Sequence, residues 1–159
     1  MKIHFSGLLP EALLVDLPEI DQQHEEIFRR IESLKTTCFA DNFIPIDDLT
    51  DLLDYFALHF ATEERIADTA GLDFTDHLRI HEDTLRLLRK ALRDVINGEH
   101  DAHSFLRYAE YWFERHISED DRLFVATLQA GTRSRSGVHR QPASACFAAL
   151  RSANRPYKT

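Results

Sequence analysis

The sequence predicts an all-α fold, an up-down-up-down four-helix bundle with a basic C-terminal extension. Three observations carry that expectation. Apolar residues recur at spacings of three and four in four separate segments. The breaks between segments are short and built around Pro, Gly, Asn and Asp. The sequence shows no strand-period alternation long enough for a sheet, no internal repeat and no glycine-rich phosphate loop. Amphipathic helices joined by short connections pack antiparallel to their sequence neighbours.

The first segment opens at Pro18 and places Ile20, His24, Ile27, Ile31, Leu34 and Cys38 on one helix face. The second follows Pro45 and carries Leu49, Leu52, Phe56, His59, Glu63 and Ile66 in the same rhythm. Gly71 is its expected stop, because glycine takes the left-handed conformation that closes a helix without a Cβ clash. The third starts around Asp73, whose side chain can cap the first turn, runs through Leu85, Leu88, Leu92 and Val95, and ends at Asn97-Gly98. The fourth begins near Asp101 and is expected to end near Gly131. It puts Phe105, Ala109, Trp112, His116 and Leu123 on one stripe and Phe113, Ile117, Phe124 and Leu128 on the next.

A chain of 159 residues is one domain's worth and can bury a single sizeable core. Residues 1–130 are expected to form the bundle and residues 131–159 a flexible or briefly helical tail, with a short helix possible over 143–153. Charge divides at the same place. All 27 acids lie in residues 1–130 with 13 of the 19 Lys/Arg, a net −14, whereas the tail holds six basic residues and no acid. The acidic body would repel phosphate, which excludes nucleic acid as its partner. No apolar run approaches the ~18 residues of a membrane span, and Pro10, Glu11 and Asp16 interrupt the N-terminal apolar stretch before a signal core forms. Cys38 and Cys146 are widely separated, so free thiols and a cytoplasmic location are expected.

The informative residues are polar ones within or beside apolar stripes. His24, His59 with Glu63, His77 with His81, and His116 with Asp120 or Asp121 all fall there. Desolvating an ionisable side chain alone costs several kcal/mol, so such groups are paired or bound to metal. A single His-to-acid pair at i+4 carries little weight, since composition alone gives roughly 1.5 of them. Position carries more. His24 and the His77/His81 pair stand near helix starts, His59/Glu63 and His116 near helix ends, and in an antiparallel bundle these four ends adjoin. At about 1.5 Å per residue, all the groups fall roughly 6–18 Å from the same end, which points to a metal site. Between Asp120 and Asp121 geometry decides nothing final: i+4 favours Asp120, whereas i+5 sits about 140° around an α-helix. His4, His100, His103 and His139 join no stripe and read as surface or loop residues.

IDQQH at residues 20–24, HFATEE at 59–64, HLRIH at 77–81 and WFERHISEDD at 112–121 together resemble the hemerythrin family, particularly its single-domain bacterial members. The resemblance spans about residues 14–128 and follows the family's order of a lone His, His-x3-Glu, His-x3-His and His-x4-Asp. It implies two iron ions per chain, with His77, His81 and His116 on one, His24 and His59 on the other, and Glu63 and Asp121 bridging. Ala67 stands where the family places Met, and aliphatic residues stand where many relatives carry Trp upstream of IDxQH.

Imidazole and carboxylate donors suit octahedral iron, whereas zinc prefers four ligands per ion. With an oxo or hydroxo bridge, the first iron would have six ligands and the second five, leaving one position for dioxygen. Ile27, Phe56, Trp112 and Ile117 are the expected apolar walls around it. Reversible dioxygen binding for transport, storage or delivery is therefore the expected function, with dioxygen as ligand and an oxygen-consuming enzyme as a candidate recipient. The alternatives are a di-iron enzyme acting on nitric oxide, peroxide or oxygen, and a sensor of oxygen, redox state or iron. No catalytic side chain outside the iron ligands is expected, and oligomeric state is not legible.

Overall fold

A computed structural model describes residues 9–41 and 43–137. Five helical elements follow a 3-10 turn at Glu11–Leu13: α1 (Pro18–Asp41), α2 (Ile46–Ala70), α3 (Thr75–Ile96), α4 (Ala102–His116) and α5 (Arg122–Gly137). A five-residue π turn, Ile117–Asp121, joins α4 to α5, so that the two form the fourth rod of the bundle. α1 packs on α2 and α4, and α3 packs on α2 and α4. That closed ring of neighbours is the expected all-α up-down-up-down arrangement, and there is no strand among the described residues.

The local chemistry accounts for most of the boundaries. Gly71 adopts φ 67°, and its N–H closes α2 on the carbonyls of Ala67 and Asp68. Asp73 accepts from the Thr75 N–H at 3.0 Å just before α3. Asp101 caps α4 through the N–H groups of His103 and Ser104, a device worth about 1 kcal/mol. Asp16 takes a left-handed φ of 64°, tolerable for Asp, and turns the chain into α1. The segment before it is held down by a side chain from α1: buried Asp21 accepts the Val15 N–H at 2.8 Å. Leu9, Leu13 and Val15 join the core.

The stripes on the first three helices face inward as their spacing requires. Ile20, Ile27, Ile31, Leu49, Leu52, Phe56, Leu88 and Val95 are fully buried, and each such side chain contributes roughly 1.5–3 kcal/mol. The fourth rod departs from its expected stripe. Leu123 lies 68% exposed and Trp112 only half-buried, whereas Phe124 and Val125 are in the core. For Leu123 the π turn is the reason. It closes on the fifth residue rather than the fourth, inserting a residue into the count and rotating everything beyond Asp121 relative to α4. The rod also runs past Gly131 to Gly137. The rest of the basic extension, with His139, Cys146 and the helix expected over 143–153, lies outside the described residues, as does His4. No described helix is long and apolar enough to cross a membrane.

Candidate metal centre

All seven expected donors converge at one end of the bundle. His24 comes from α1, His59 and Glu63 from α2, His77 and His81 from α3, His116 from the end of α4 and Asp121 from the π turn. Their donor atoms form two groups, each with every atom within 4.8 Å of the others: Glu63, His77, His81, His116 and Asp121; and His24, His59, Glu63 and Asp121. Both carboxylates belong to both groups. The π turn brings Asp121 there, since i→i+5 closure stacks Asp121 over His116 as i→i+4 closure would stack Asp120 in an α-helix.

The separations within the first group are short. His116 Nε2 stands 2.9 Å from Asp121 Oδ1 and 3.0 Å from His81 Nε2. His77 Nε2 is 3.2 Å from Asp121 Oδ1, and Glu63 Oε2 is 3.3 Å from His81 Nε2 and 3.5 Å from His77 Nε2. In the second group, His24 Nε2 lies 3.1 Å and His59 Nε2 3.9 Å from Asp121 Oδ2. Yet both oxygens of Glu63 and of Asp121, and Nε2 of His24, His59 and His77, are buried without a hydrogen bond of acceptable geometry among the described residues. Short distances without hydrogen-bond direction mean that the lone pairs aim at a common point rather than at one another. Donors about 2.1 Å from one ion at right angles stand about 3 Å apart, so the residues fit a metal ion. Left unmet, these groups would each cost on the order of 1–3 kcal/mol.

Protonation in the metal-free cluster follows from burial and mutual charge. Burial pushes His59 down to about 3 and His81 down to about 2, reinforced by neighbouring imidazoles. Burial also opposes charge on His116, but Asp121 and the Asp120 hydrogen bond outweigh it and raise His116 to about 9. His77 is likewise raised against its burial by Asp121 and Glu63. Burial and the nearby Asp121 charge push Glu63 up to about 7. Asp121 itself, despite burial, is held well below the usual carboxylate range by His116, His24 and His77. Asp121 thus stays anionic, His116 and His77 hold their protons more tightly than a free imidazole, and His59 and His81 stay neutral, so that a cation binding there displaces protons.

The aromatic surroundings differ between the groups. Each imidazole of the three-histidine group carries a parallel plate: Phe74 on His77 at 4.5 Å, Phe60 on His81 at 3.8 Å and Trp112 on His116 at 4.7 Å between ring centroids. His24 and His59 instead share the edge of Phe113, at 5.3 and 5.7 Å. Of the expected walls, Ile27, Phe56 and Ile117 are fully buried, and Phe56 lies 5.1 Å from Phe113. Trp112 stacks on His116, and the ring that meets His24 and His59 is Phe113. Phe113 was legible as a stripe residue, but nothing in its spacing says which imidazoles it touches. Gln23 is a further residue that stripe reasoning leaves out, and Asp120, offered by its i+4 spacing as a possible donor, stands behind His116 instead. Asp120 Oδ2 accepts from His116 Nδ1 at 2.9 Å, and Gln23 Oε1 accepts from His59 Nδ1 at 3.0 Å while its amide donates to Thr62 Oγ1. Of the histidines read as surface residues, His100 is exposed, whereas His103 is half-buried with its ring 5.7 Å from Phe39.

A four-helix bundle that gathers five imidazoles and two shared carboxylates at one end defines a class, the cation-binding helical bundles. Residues 15–128 match the hemerythrin HHE cation binding domain. The chain belongs to the hemerythrin family. It is 26% identical over 122 residues to a bacteriohemerythrin of Stenotrophomonas maltophilia (strain R551-3), covering 76% of this chain and 80% of that protein. It is 30% identical over 112 residues to a bacteriohemerythrin of Pseudomonas aeruginosa (strain LESB58), covering 69% and 73%. The crystal structure of a hemerythrin point mutant superposes with a TM-score of 0.65 at 25% identity, over 72% of this chain and 89% of that one. Membership implies non-haem iron binding and an oxygen-binding or related role.

Proposed function

We propose that this protein binds dioxygen reversibly, as a carrier, store or donor, at a di-iron centre. In this reading His77, His81 and His116 hold one iron, His24 and His59 hold the other, and Glu63 and Asp121 bridge them. The observation that carries it is the pair of donor groups sharing the same two carboxylates. Three imidazoles and two carboxylates would hold one ion and two imidazoles with the same carboxylates the other, so the two-histidine side would have fewer protein donors and room for a diatomic ligand.

Two ferrous ions supply the two electrons that reversible dioxygen binding moves. The chain's own side chains do the rest. Glu63 and Asp121 offset the cationic charge in a buried setting, and the imidazoles bind as neutral ligands. Phe113, Phe56, Ile27 and Ile117 make an apolar wall that hinders bulk water and large substrates. Apart from the carboxylates that would hold metal, His59 hydrogen-bonds the Gln23 amide, which in turn donates to the Thr62 hydroxyl. Neither is acidic enough to drive O–O cleavage by protonation, which supports release over reaction.

The test is an optical cycle. The reduced protein under argon should be nearly colourless, colour in air, and bleach again when oxygen is removed. Irreversible oxidation on first exposure, or catalytic consumption of an added substrate, would favour a di-iron enzyme instead.

A further inference from the structure

The two halves of the centre are supported unequally behind their imidazoles. On the three-histidine side, His116 directs Nε2 into the cluster, 2.9 Å from Asp121 Oδ1, and turns Nδ1 outward to the Asp120 carboxylate at 2.9 Å. On the other side, the outward nitrogen of His59 meets a neutral amide oxygen, that of Gln23, at 3.0 Å. Nδ1 of His24 and of His81 has no hydrogen-bond partner among the described residues. A carboxylate behind a ligating imidazole fixes its tautomer and ring orientation and makes it a stronger donor; an amide fixes orientation with no added charge.

We propose that Asp120 is a positioning residue: it holds His116 as the Nδ1–H tautomer with Nε2 facing the cluster and loads the three-histidine side with negative charge, so that the two metal positions are electronically unequal. This rests on the di-iron reading above. Asp120 reaches the outward Nδ1 of His116 from within the same π turn that carries Asp121 inward. The adjacent acids therefore divide two tasks, Asp121 facing the metals and Asp120 facing the back of the ligand. The Asp120 side chain is 34% exposed, so solvent screens part of its field and the hydrogen bond does most of the fixing.

The experiment compares the wild type with Asp120→Asn, which keeps an acceptor and removes charge, Asp120→Ala, which removes both, and Glu119→Gln. Glu119 is exposed and pairs with Arg115, so its variant controls for surface charge. Iron per chain, the rate of ferrous ion loss to a chelator and the reduction potential of bound iron are measured on the loaded protein. The imidazole N–H resonances are followed by 1H–15N NMR on the metal-free protein. Asp120→Ala should keep two irons but release them about 10–100-fold faster, with Asp120→Asn between it and the wild type. Both should raise the potential, because the ferric state loses a nearby anion, and Glu119→Gln should do neither. The protected His116 Nδ1–H resonance should vanish in Asp120→Ala. Variants indistinguishable from Glu119→Gln would overturn the proposal, as would loss of one iron outright in Asp120→Ala, which would make Asp120 a ligand. If the wild type fails to hold two irons while the N–H resonance still depends on Asp120, the di-iron reading fails and the Asp120–His116 pairing stands. Absence of that dependence sinks the pairing by itself.

Discussion

Stability of the metal-free protein should peak near neutral pH and fall on both sides, and the centre's own side chains set the slopes. Below pH 6.5 the unfolded chain protonates His59 and His81, which the fold holds neutral down to about 3 and about 2. The unfolded state then binds two more protons, while Glu63, raised to about 7, returns one to the folded state. The net difference of one proton makes stability fall as pH drops from 6.5 to 4.5, by ~1.4 kcal/mol per unit and ~3 kcal/mol in all. Above pH 7 the sign reverses. His116 keeps its proton in the fold to about 9 while the unfolded histidine has lost it, so stability present below 6.5 is lost as pH rises through 9, by a further ~3 kcal/mol. His77, also raised, adds to the alkaline loss, and Asp121, lowered, adds a further acid loss only below its unfolded value of 3.8. Urea unfolding of chelator-stripped protein from pH 4.5 to 9, followed by far-ultraviolet circular dichroism, measures the curve. Saturation with ferrous ion should abolish the alkaline fall, since His116 then gives its lone pair to the metal. A flat metal-free profile, or stability still climbing between pH 7 and 9, would refute the account.

Two further outcomes follow from the geometry. Asp121→Ala removes a carboxylate common to both donor groups and should cost more bound iron than Asp120→Ala; iron per chain by elemental analysis, with the reverse order, would show that the π turn does not aim Asp121 inward. Phe113→Leu trims the ring edge shared by His24 and His59 inside a full core. It should lower stability by on the order of 1 kcal/mol and speed autoxidation severalfold as water gains access, read as the decay of the coloured form in air; an unchanged decay rate would place the ligand pocket elsewhere.

Much of this protein is written in one dimension. The stripes of α1 to α3 declare their buried faces through spacing alone, because a 3.6-residue period maps sequence onto angle with little ambiguity as long as the helix stays α. The donor inventory is legible for the same reason. His24, His59 with Glu63, and His81 lie on core faces where an unpaired ionisable group is too costly to keep. Gly71 and Asp101 announce helix ends through conformations and hydrogen bonds that few other residues supply.

The tertiary structure decided what depends on departures from that period and on neighbours from other helices. The π turn at Ile117–Asp121 exposes Leu123, buries Val125 and carries Asp121 rather than Asp120 toward the other donors. Residue spacing cannot reveal it, since counting presumes the very closure that the turn changes. Which aromatic ring faces which imidazole, Trp112 over His116 and Phe113 against His24 and His59, is likewise set by how α4 is rotated between α1 and α3. The roles of Asp21, Gln23 and Asp120 belong here too. A lone amide such as Gln23 reads as solvated until packing brings an imidazole 36 residues away within 3.0 Å, and Asp21 until the segment before α1 folds back onto it. Asp120, by contrast, is offered by its i+4 spacing from His116, and only its place behind the ring comes from the fold.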